Sequence, residues 1–311
     1  MSGDKLVPFV GKQPGNKGKA TLIVAIPTTG RPDVVAPTVR KLARQNRLPD
    51  RVIICSAEHS DVPPNGFGDL PFPVVGLTAP KGACAQRNRI LREVKSDDIV
   101  MFMDDDFLLA SDYLQRVEVI FRQNPTFALV TGRVLADGIK GPGITHSAGD
   151  ALLEEFVDAA PHSMLEPVYN GYGCNMAVRV KMISQLGVRF DEKLPRYGWL
   201  EDLDFSRRLS KAGQIIRANE LQGVHLGFKG GRTPGKMLGY SQMVNPIYLA
   251  RNGSMAPWRA ARIMSRNLAS NLFLTFRSEP WVDRRGRLNG NIRGIGDLIL
   301  GRSDPRRILD F

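Results

Sequence analysis

Short, continuous, largely β-branched runs closed by turn residues recur through the first half of this 311-residue chain, each followed by a stretch with helical periodicity. Residues 21–27 (TLIVAIP), 51–55 (RVIIC), 74–77, 99–103 (IVMFM) and 128–135 read as strands, and residues 31–45, 84–94 and 112–123 as the helices between them. A strand that is apolar at every position is buried on both faces, which requires helices above and below a parallel sheet. Strand, helix, strand alternation then implies right-handed crossovers. The expected fold is α/β, a mostly parallel sheet flanked by helices. Residues 136–170 are Gly-rich and read as a loop excursion. Helices are expected near 178–186 and 201–212, a strand at 214–218, and an amphipathic helix at 258–276. No internal repeat is evident.

Composition narrows the function classes. Apolar residues at 42% and charged residues at 24% describe a globular chain rather than a collagen, a coiled coil or a disordered polymer. No run approaches the roughly 18 apolar residues of a membrane span, and the first residues lack the apolar core of a secretory signal, so a cytoplasmic location is expected. Cys55, Cys84 and Cys174 are widely spaced and odd in number, which argues for reduced thiols.

The net charge of +12 is segregated. Residues 1–20 hold four Lys against one Asp, and residues 251–311 hold twelve Arg, no Lys and five acids. Residues 21–250 are almost balanced, which argues against nucleic acid as the partner of the central domain and points to a terminal segment that meets something anionic. The chain is accordingly divided into a disordered basic tail (1–20), a central domain (21–250, with halves 21–106 and 107–250) and an Arg-rich helical extension (251–311). In that extension Trp258, Met264, Leu268, Leu272 and Phe276 share a helix face edged by Arg259, Arg262 and Arg266. This is either an interfacial helix drawn to anionic lipid or a helix packed on the central domain with its Arg in water.

Asp104, Asp105 and Asp106 end the IVMFM strand. Three adjacent carboxylates repel one another, and at the carboxyl edge of a parallel sheet, where open α/β folds bind ligands, a divalent cation relieves that repulsion. Asp104 and Asp106 form a D-x-D pair of hard oxygen ligands suited to Mg²⁺ or Mn²⁺; the alternative is a solvated acidic turn. Glu201 and Asp202 open a helix in WLEDLDF, where a carboxylate points outward and can serve as general base, or simply cap the first turn. His225 in LQGVHLG is either a metal ligand or a structural histidine; His59, His146 and His162 have no spacing that makes a site. Residues 230–236 (GGRTPGK) match the start of a P-loop, but Met237 replaces the Ser or Thr that binds magnesium. Lys229, Arg232 and Lys236 remain as a basic lid over phosphates, or as a plain basic loop.

In order and spacing, VAIPTTGR (24–31), GACAQRNRI (82–90), IVMFMDDDF (99–107), GCNMAVR (173–179), LGVRFDE (186–192) and WLEDLDFSRRL (199–209), followed by His225, resemble glycosyltransferase family 2. The resemblance covers about residues 21–230 and implies a GT-A (Rossmann-like) fold and inverting transfer of sugar from a nucleoside-diphosphate sugar, a UDP-sugar first. It implies that Pro27, Thr28, Arg31 and Asp105 lie at the donor nucleotide, with Arg87 approaching base or ribose. Asp104 would sit near ribose and metal, Asp106 would bind the Mn²⁺ or Mg²⁺, and His225 would be a further ligand. Asp202 resembles the family's catalytic base, with Glu201 positioning it or the acceptor. The usual Asp after the second strand is replaced by Ser56, with Glu58 two residues on, so one of these takes over at the nucleobase.

The chemistry agrees with such an assignment, because expelling a nucleoside diphosphate needs a cation at the leaving oxygens and a carboxylate for the acceptor proton. The acceptor implied is a glycan or lipid-linked glycan at the inner face of the membrane. Two competing functions are a sugar-nucleotide-forming nucleotidyltransferase, for which PTTGRPD supplies little of the required Gly-rich basic loop, and a noncatalytic module for anionic polymers, which leaves the acids without purpose.

Overall fold

The computed structural model describes residues 7–9, 20–157, 164–231, 233–276 and 279–311. One sheet is built from β1 (Val7–Phe9), β2 (Leu22–Thr28), β3 (Arg51–Ser56), β4 (Val74–Thr78), β5 (Ile99–Met103), β6 (Phe107–Leu109), β7 (Phe127–Asp137), β8 (Leu165–Pro167), β9 (Asn175–Arg179) and β10 (Gln214–His225). Its order is β1-β4-β3-β2-β5-β9-β7-β10-β6, with β8 paired to β10. The helices are α1 (Pro32–Lys41), α2 (Ala83–Leu91), α3 (Tyr113–Gln123), α4 (His146–Val157), α5 (Val180–Leu186), α6 (Glu201–Leu209), α7 (Gly235–Arg251), α8 (Pro257–Leu274) and α9 (Arg284–Ile299).

Strand β2 shows why the first half reads so clearly. Leu22, Val24 and Ile26 enter one core with Val35 and Val39 of α1 and Val117 and Phe121 of α3. Ile23 and Ala25 enter the other with Cys84 and Ile90 of α2 and Ile183 of α5. Neither face meets water, so no position can be polar. Strands β2 to β5 run parallel, and their carboxyl ends bring Thr28, Ser56 and Asp104 to one edge. Gln86 ties that edge together by donating to the carbonyls of Thr28 (2.7 Å) and Cys55 (2.9 Å). The three cysteines are buried free thiols.

The second half departs from the expected pattern in ways with physical causes. The helix expected near 178–186 begins at Val180, because Asn175–Arg179 is the antiparallel strand β9 between β5 and β7. No Gly or Pro separates strand from helix there, so periodicity alone cannot divide them. The expected loop at 136–170 contains the end of β7, helix α4 and strand β8. Gly149 makes α4 look like loop, yet a Cβ there would meet Leu108 and Leu226 side chains at 2.8 Å, so this glycine serves close packing. Strand β10 continues past Ala218, through an irregularity between Ala218 and Gln222, to reach His225.

At the amino terminus, residues 7–9 pair antiparallel with β4 instead of being disordered; the rest of the expected tail, 1–6 and 10–19, lies outside the described residues. Helix α7 crosses residue 250 and packs on α9 and α8. The apolar stripe expected on α8 is divided. Its inner face is lined by Ala260, Ile263 and Asn271, while Trp258, Leu272 and Phe276 are exposed and Met264 and Leu268 are half-buried.

Candidate active site

The three acids after β5 are sent in different directions. Asp105 turns inward, where Thr28 Oγ1 donates to its Oδ2 (2.6 Å) and Arg31 Nη1 to its Oδ1 (3.0 Å). Burial raises the Asp105 carboxyl above the usual carboxylate range, against the pull of Arg31. Asp106 is buried, accepts from the Phe228 backbone N–H (2.7 Å) and lies 3.3 Å from His225 Nε2. Asp104 is partly exposed, 3.8 Å from the same nitrogen. Asp104, Asp106 and His225 thus present three ligand atoms within 4.8 Å of one another. Two carboxylate oxygens and an imidazole nitrogen form a donor set that fits Mn²⁺ or Mg²⁺. Burial opposes charge on His225, but hydrogen bonds to Asp106 and Asp137 outweigh it and raise the imidazole to about 10. The His225 proton thereby balances carboxylates that a divalent cation can balance instead.

Asp137 and Tyr172 complete this corner, and neither stood out in the sequence. Asp137 is the register partner of His225 across β7 and β10. Its Oδ1 lies 3.0 Å from His225 Nδ1, and Tyr172 Oη donates to its Oδ2 (3.1 Å) while the Tyr172 ring meets the imidazole edge-on. A carboxylate on Nδ1 keeps a proton there and turns Nε2 toward Asp104 and Asp106. We expect Asp137→Ala to weaken Mn²⁺ binding by about 10- to 100-fold. Titration of free Mn²⁺ by electron paramagnetic resonance measures this, and unchanged affinity would dismiss the orienting role.

Opposite stands the amino terminus of α6, entered through Leu200 in a left-handed conformation (φ 72°). Asp202 accepts from the backbone N–H of Gly173 (2.9 Å, Oδ2) and of Leu203 (2.7 Å, Oδ1). Burial raises its carboxyl and these two donors oppose the rise, a balance suited to a base that must also release its proton. Glu201 is buried against Arg87 Nη1, and its Oε2 has no hydrogen-bond partner among the described residues. Burial pushes Glu201 up, with Arg87 pulling down. A Cβ on Gly173 would meet Glu201 Oε1 at 3.2 Å and Asp202 Oδ2 at 3.5 Å, so the site is built around a residue without a side chain.

Arg87, expected at base or ribose, lies beneath the site. It donates to the Gly173 carbonyl (3.0 Å), pairs with Asp104 (3.4 Å) and Glu201, and its guanidinium lies over the rings of Phe190 and Phe102. It therefore holds the acids in place. Arg31 bridges the acids to the following loop, with Nη1 3.8 Å from Asp106 and Nε donating to the Gly230 carbonyl (3.0 Å). Pro27 is half-buried and Thr28 buried at the end of β2. Ser56 is buried at the end of β3, and Glu58 is exposed. Asp61, unnoticed in the sequence, accepts from the amides of Gly30 (2.6 Å), Ala57 (2.9 Å) and Glu58 (2.8 Å), stapling the loops after β2 and β3. Of the expected lid, Lys229 donates to the carbonyls of Gly138 and Ile139, Lys236 lies 5.1 Å from the Phe311 ring, and Arg232 is outside the described residues.

The model of glycosyl transferase family 2 matches residues 23–187, just over half of the chain. Succinoglycan biosynthesis protein ExoM of Rhizobium meliloti (strain 1021) is 27% identical over 213 residues, which are 65% of this chain and 65% of that protein. The chain thus spans slightly less than two thirds of that relative's length. Among solved structures, S. aureus TarS 1–349 in complex with UDP-GlcNAc aligns with a TM-score of 0.53 at 14% identity, over 93% of this chain and 82% of that one. The mannosyltransferase PcManGT from Pyrobaculum calidifontis, in complex with GDP-Man and Mn²⁺, aligns with a TM-score of 0.53 at 16% identity, over 94% and 79%. These structural likenesses establish the GT-A fold.

Proposed function

This chain belongs to glycosyl transferase family 2, and on that premise we propose that it is an inverting, metal-dependent glycosyltransferase acting on a nucleoside-diphosphate sugar. The observation that carries this reading is the placement of Asp202 across from the Asp104, Asp106 and His225 group, with Gly173 and Cys174 between them. Nucleotide sugars in the structural neighbours, UDP-GlcNAc and GDP-Man, support the donor class. The relative named for succinoglycan biosynthesis supports a glycan or lipid-linked glycan as acceptor.

The reaction is a single in-line displacement. The acceptor oxygen forms a bond to the anomeric carbon as the bond to the β-phosphate oxygen breaks, that electron pair leaves with the diphosphate, and the configuration inverts. Asp202 takes the acceptor proton. Glu201, held by Arg87 beside Asp202, positions the base or the acceptor. Arg31 carries positive charge to the diphosphate side. Mn²⁺ or Mg²⁺ held by Asp104, Asp106 and His225 supplies, when bound, neutralisation of the charge that develops on the leaving group. Thr28 and Ser56, at the ends of β2 and β3, border the nucleoside, with Glu58 at the rim.

Thermal stabilisation tests this reading, because a ligand that prefers the native state raises apparent stability. UDP with Mn²⁺ is expected to raise the melting temperature by several degrees, UDP with chelator much less, and the Asp106→Asn variant is expected to lose the metal-dependent part. A panel of nucleoside diphosphates that leaves the wild-type protein unmoved at millimolar Mn²⁺ would refute it.

A further inference from the structure

Where α7, α8 and α9 meet, small and polar groups make much of the contact, beside an apolar cluster of Tyr240, Val244 and Ile308. A Cβ on Gly239 would lie 2.0 Å from the Arg287 carbonyl oxygen, and one on Gly290 2.0 Å from that of Lys236, so the backbones of α7 and α9 touch through G-x-x-x-G spacings at 235/239 and 286/290/294. Between the helices Asn271 donates to Gln242 (2.8 Å) and Asn291 (2.8 Å), Asn291 to the Gly239 carbonyl (2.7 Å), and Gln242 to Asn267 (3.2 Å). Glycine contacts and side-chain amides are how helices associate where apolar surface gains nothing by burial between them.

The exterior is apolar. Among the described residues, nine of the fourteen exposed large hydrophobic ones fall within residues 251–311, including Trp258 (57%), Phe273 (72%) and Phe276 (88%) on or just beyond α8 and Ile292 (64%) and Ile299 (79%) on α9. Arg262 and Arg266 share the outward face of α8, and Arg285 is exposed on α9. None of these three pairs with a carboxylate among the described residues, and three of the segment's five acids are taken by other arginines. Glu279 pairs with Arg284, Asp297 with Arg302 and Arg307, and Asp304 with Arg306. A second copy docked on this face about a two-fold axis would set these arginines against themselves. Phosphate headgroups complement them, and the acyl boundary accepts the aromatic and aliphatic side chains. No helix among the described residues is long and apolar enough to cross a membrane, so the segment would lie on the bilayer rather than span it.

We propose that the outward faces of α8 and α9 seat this enzyme on an anionic lipid bilayer, with Phe273 and Phe276 entering the acyl boundary and Arg262, Arg266 and Arg285 meeting the headgroups. The surface is independent of the sugar-transfer chemistry and stands or falls without it.

Flotation of the full chain with vesicles of phosphatidylcholine alone, and with phosphatidylglycerol added, tests the proposal. Binding is expected with phosphatidylglycerol, falling as salt is raised. The Phe273→Ser/Phe276→Ser double variant is expected to lose about tenfold or more of the bound fraction, and Arg262→Gln/Arg266→Gln to lose the preference for anionic vesicles. Both pairs are exposed, so melting temperatures should stay at the wild-type value. Quenching of tryptophan fluorescence by brominated lipid gives a second readout in the unaltered chain, through Trp258. Absence of binding to anionic vesicles, or undiminished binding by the Phe double variant, would overturn the proposal. So would a wild-type dimer in light scattering that the same variant dissociates, since this face would then belong to a second copy.

Discussion

Asp202→Asn should lower turnover by about 10²- to 10⁴-fold, the usual contribution of a positioned general base, while leaving nucleoside diphosphate binding close to wild type. The side chain keeps its size but loses the charge that, on the proposed reaction, accepts the proton. Its two oxygens now receive the Gly173 and Leu203 amides, and an amide can offer an acceptor to only one of them. A modest loss of stability therefore accompanies the loss of rate. Because Asp202 has no hydrogen bond to Arg31, Thr28 or the metal group, calorimetric affinity for UDP with Mn²⁺ should be preserved. Transfer or donor hydrolysis at the wild-type rate in this variant would remove Asp202 from the role of base.

The second large effect is on the framework. Arg87→Met keeps an apolar stem between Phe102 and Phe190 but leaves Glu201 buried without its counter-charge. Breaking a buried pair from one side costs about 3–5 kcal/mol, a large part of the roughly 5–15 kcal/mol that holds a typical domain together. The melting temperature should fall by about 10 °C at neutral pH. The sign with pH follows from Glu201, whose folded-state carboxyl is already raised by burial and rises further without Arg87. The folded variant then holds a proton that the unfolded chain has released, so stability declines as pH climbs from the ordinary carboxylate range, and acid conditions recover part of the loss. Removing the partner as well, in Arg87→Met/Glu201→Met, should restore stability but not activity. Calorimetry of the three variants decides the matter; a single variant as stable as wild type would show that Arg87 does not hold the site together.

Strands β2 to β5 and the acids at 104–106 were legible because each strand is apolar throughout and stops abruptly at polar residues. Glu201, Asp202 and His225 were legible only as members of an ordered set, since a lone acid pair or histidine has commoner explanations. Asp137 and Tyr172 were not legible, because their meaning lies in a partner 88 residues away for Asp137 and in Asp137 itself for Tyr172. Asp61 was hidden for a similar reason, as its partners are backbone amides that no side-chain pattern announces. Helix α7 escaped, and α9 was expected only within a helical extension and without bounds, because the glycines that let them touch are helix breakers by propensity, and only the tertiary contact offsets that cost. Arg87 shows the same limit from the other side. A basic residue in a nucleotide-binding stretch suggests phosphate or ribose, yet burial and three acidic or carbonyl partners give it a supporting role.

Three consecutive residues join the two ends of the catalytic cleft. Tyr172 Oη braces the carboxylate behind His225, the Gly173 amide holds Asp202, and the Cys174 carbonyl accepts from the Asp104 amide. On the proposed reaction, the departing phosphate and the incoming nucleophile are thereby spaced by three adjoining residues of one backbone segment and the hydrogen bonds they make, rather than by the mutual drift of two lobes.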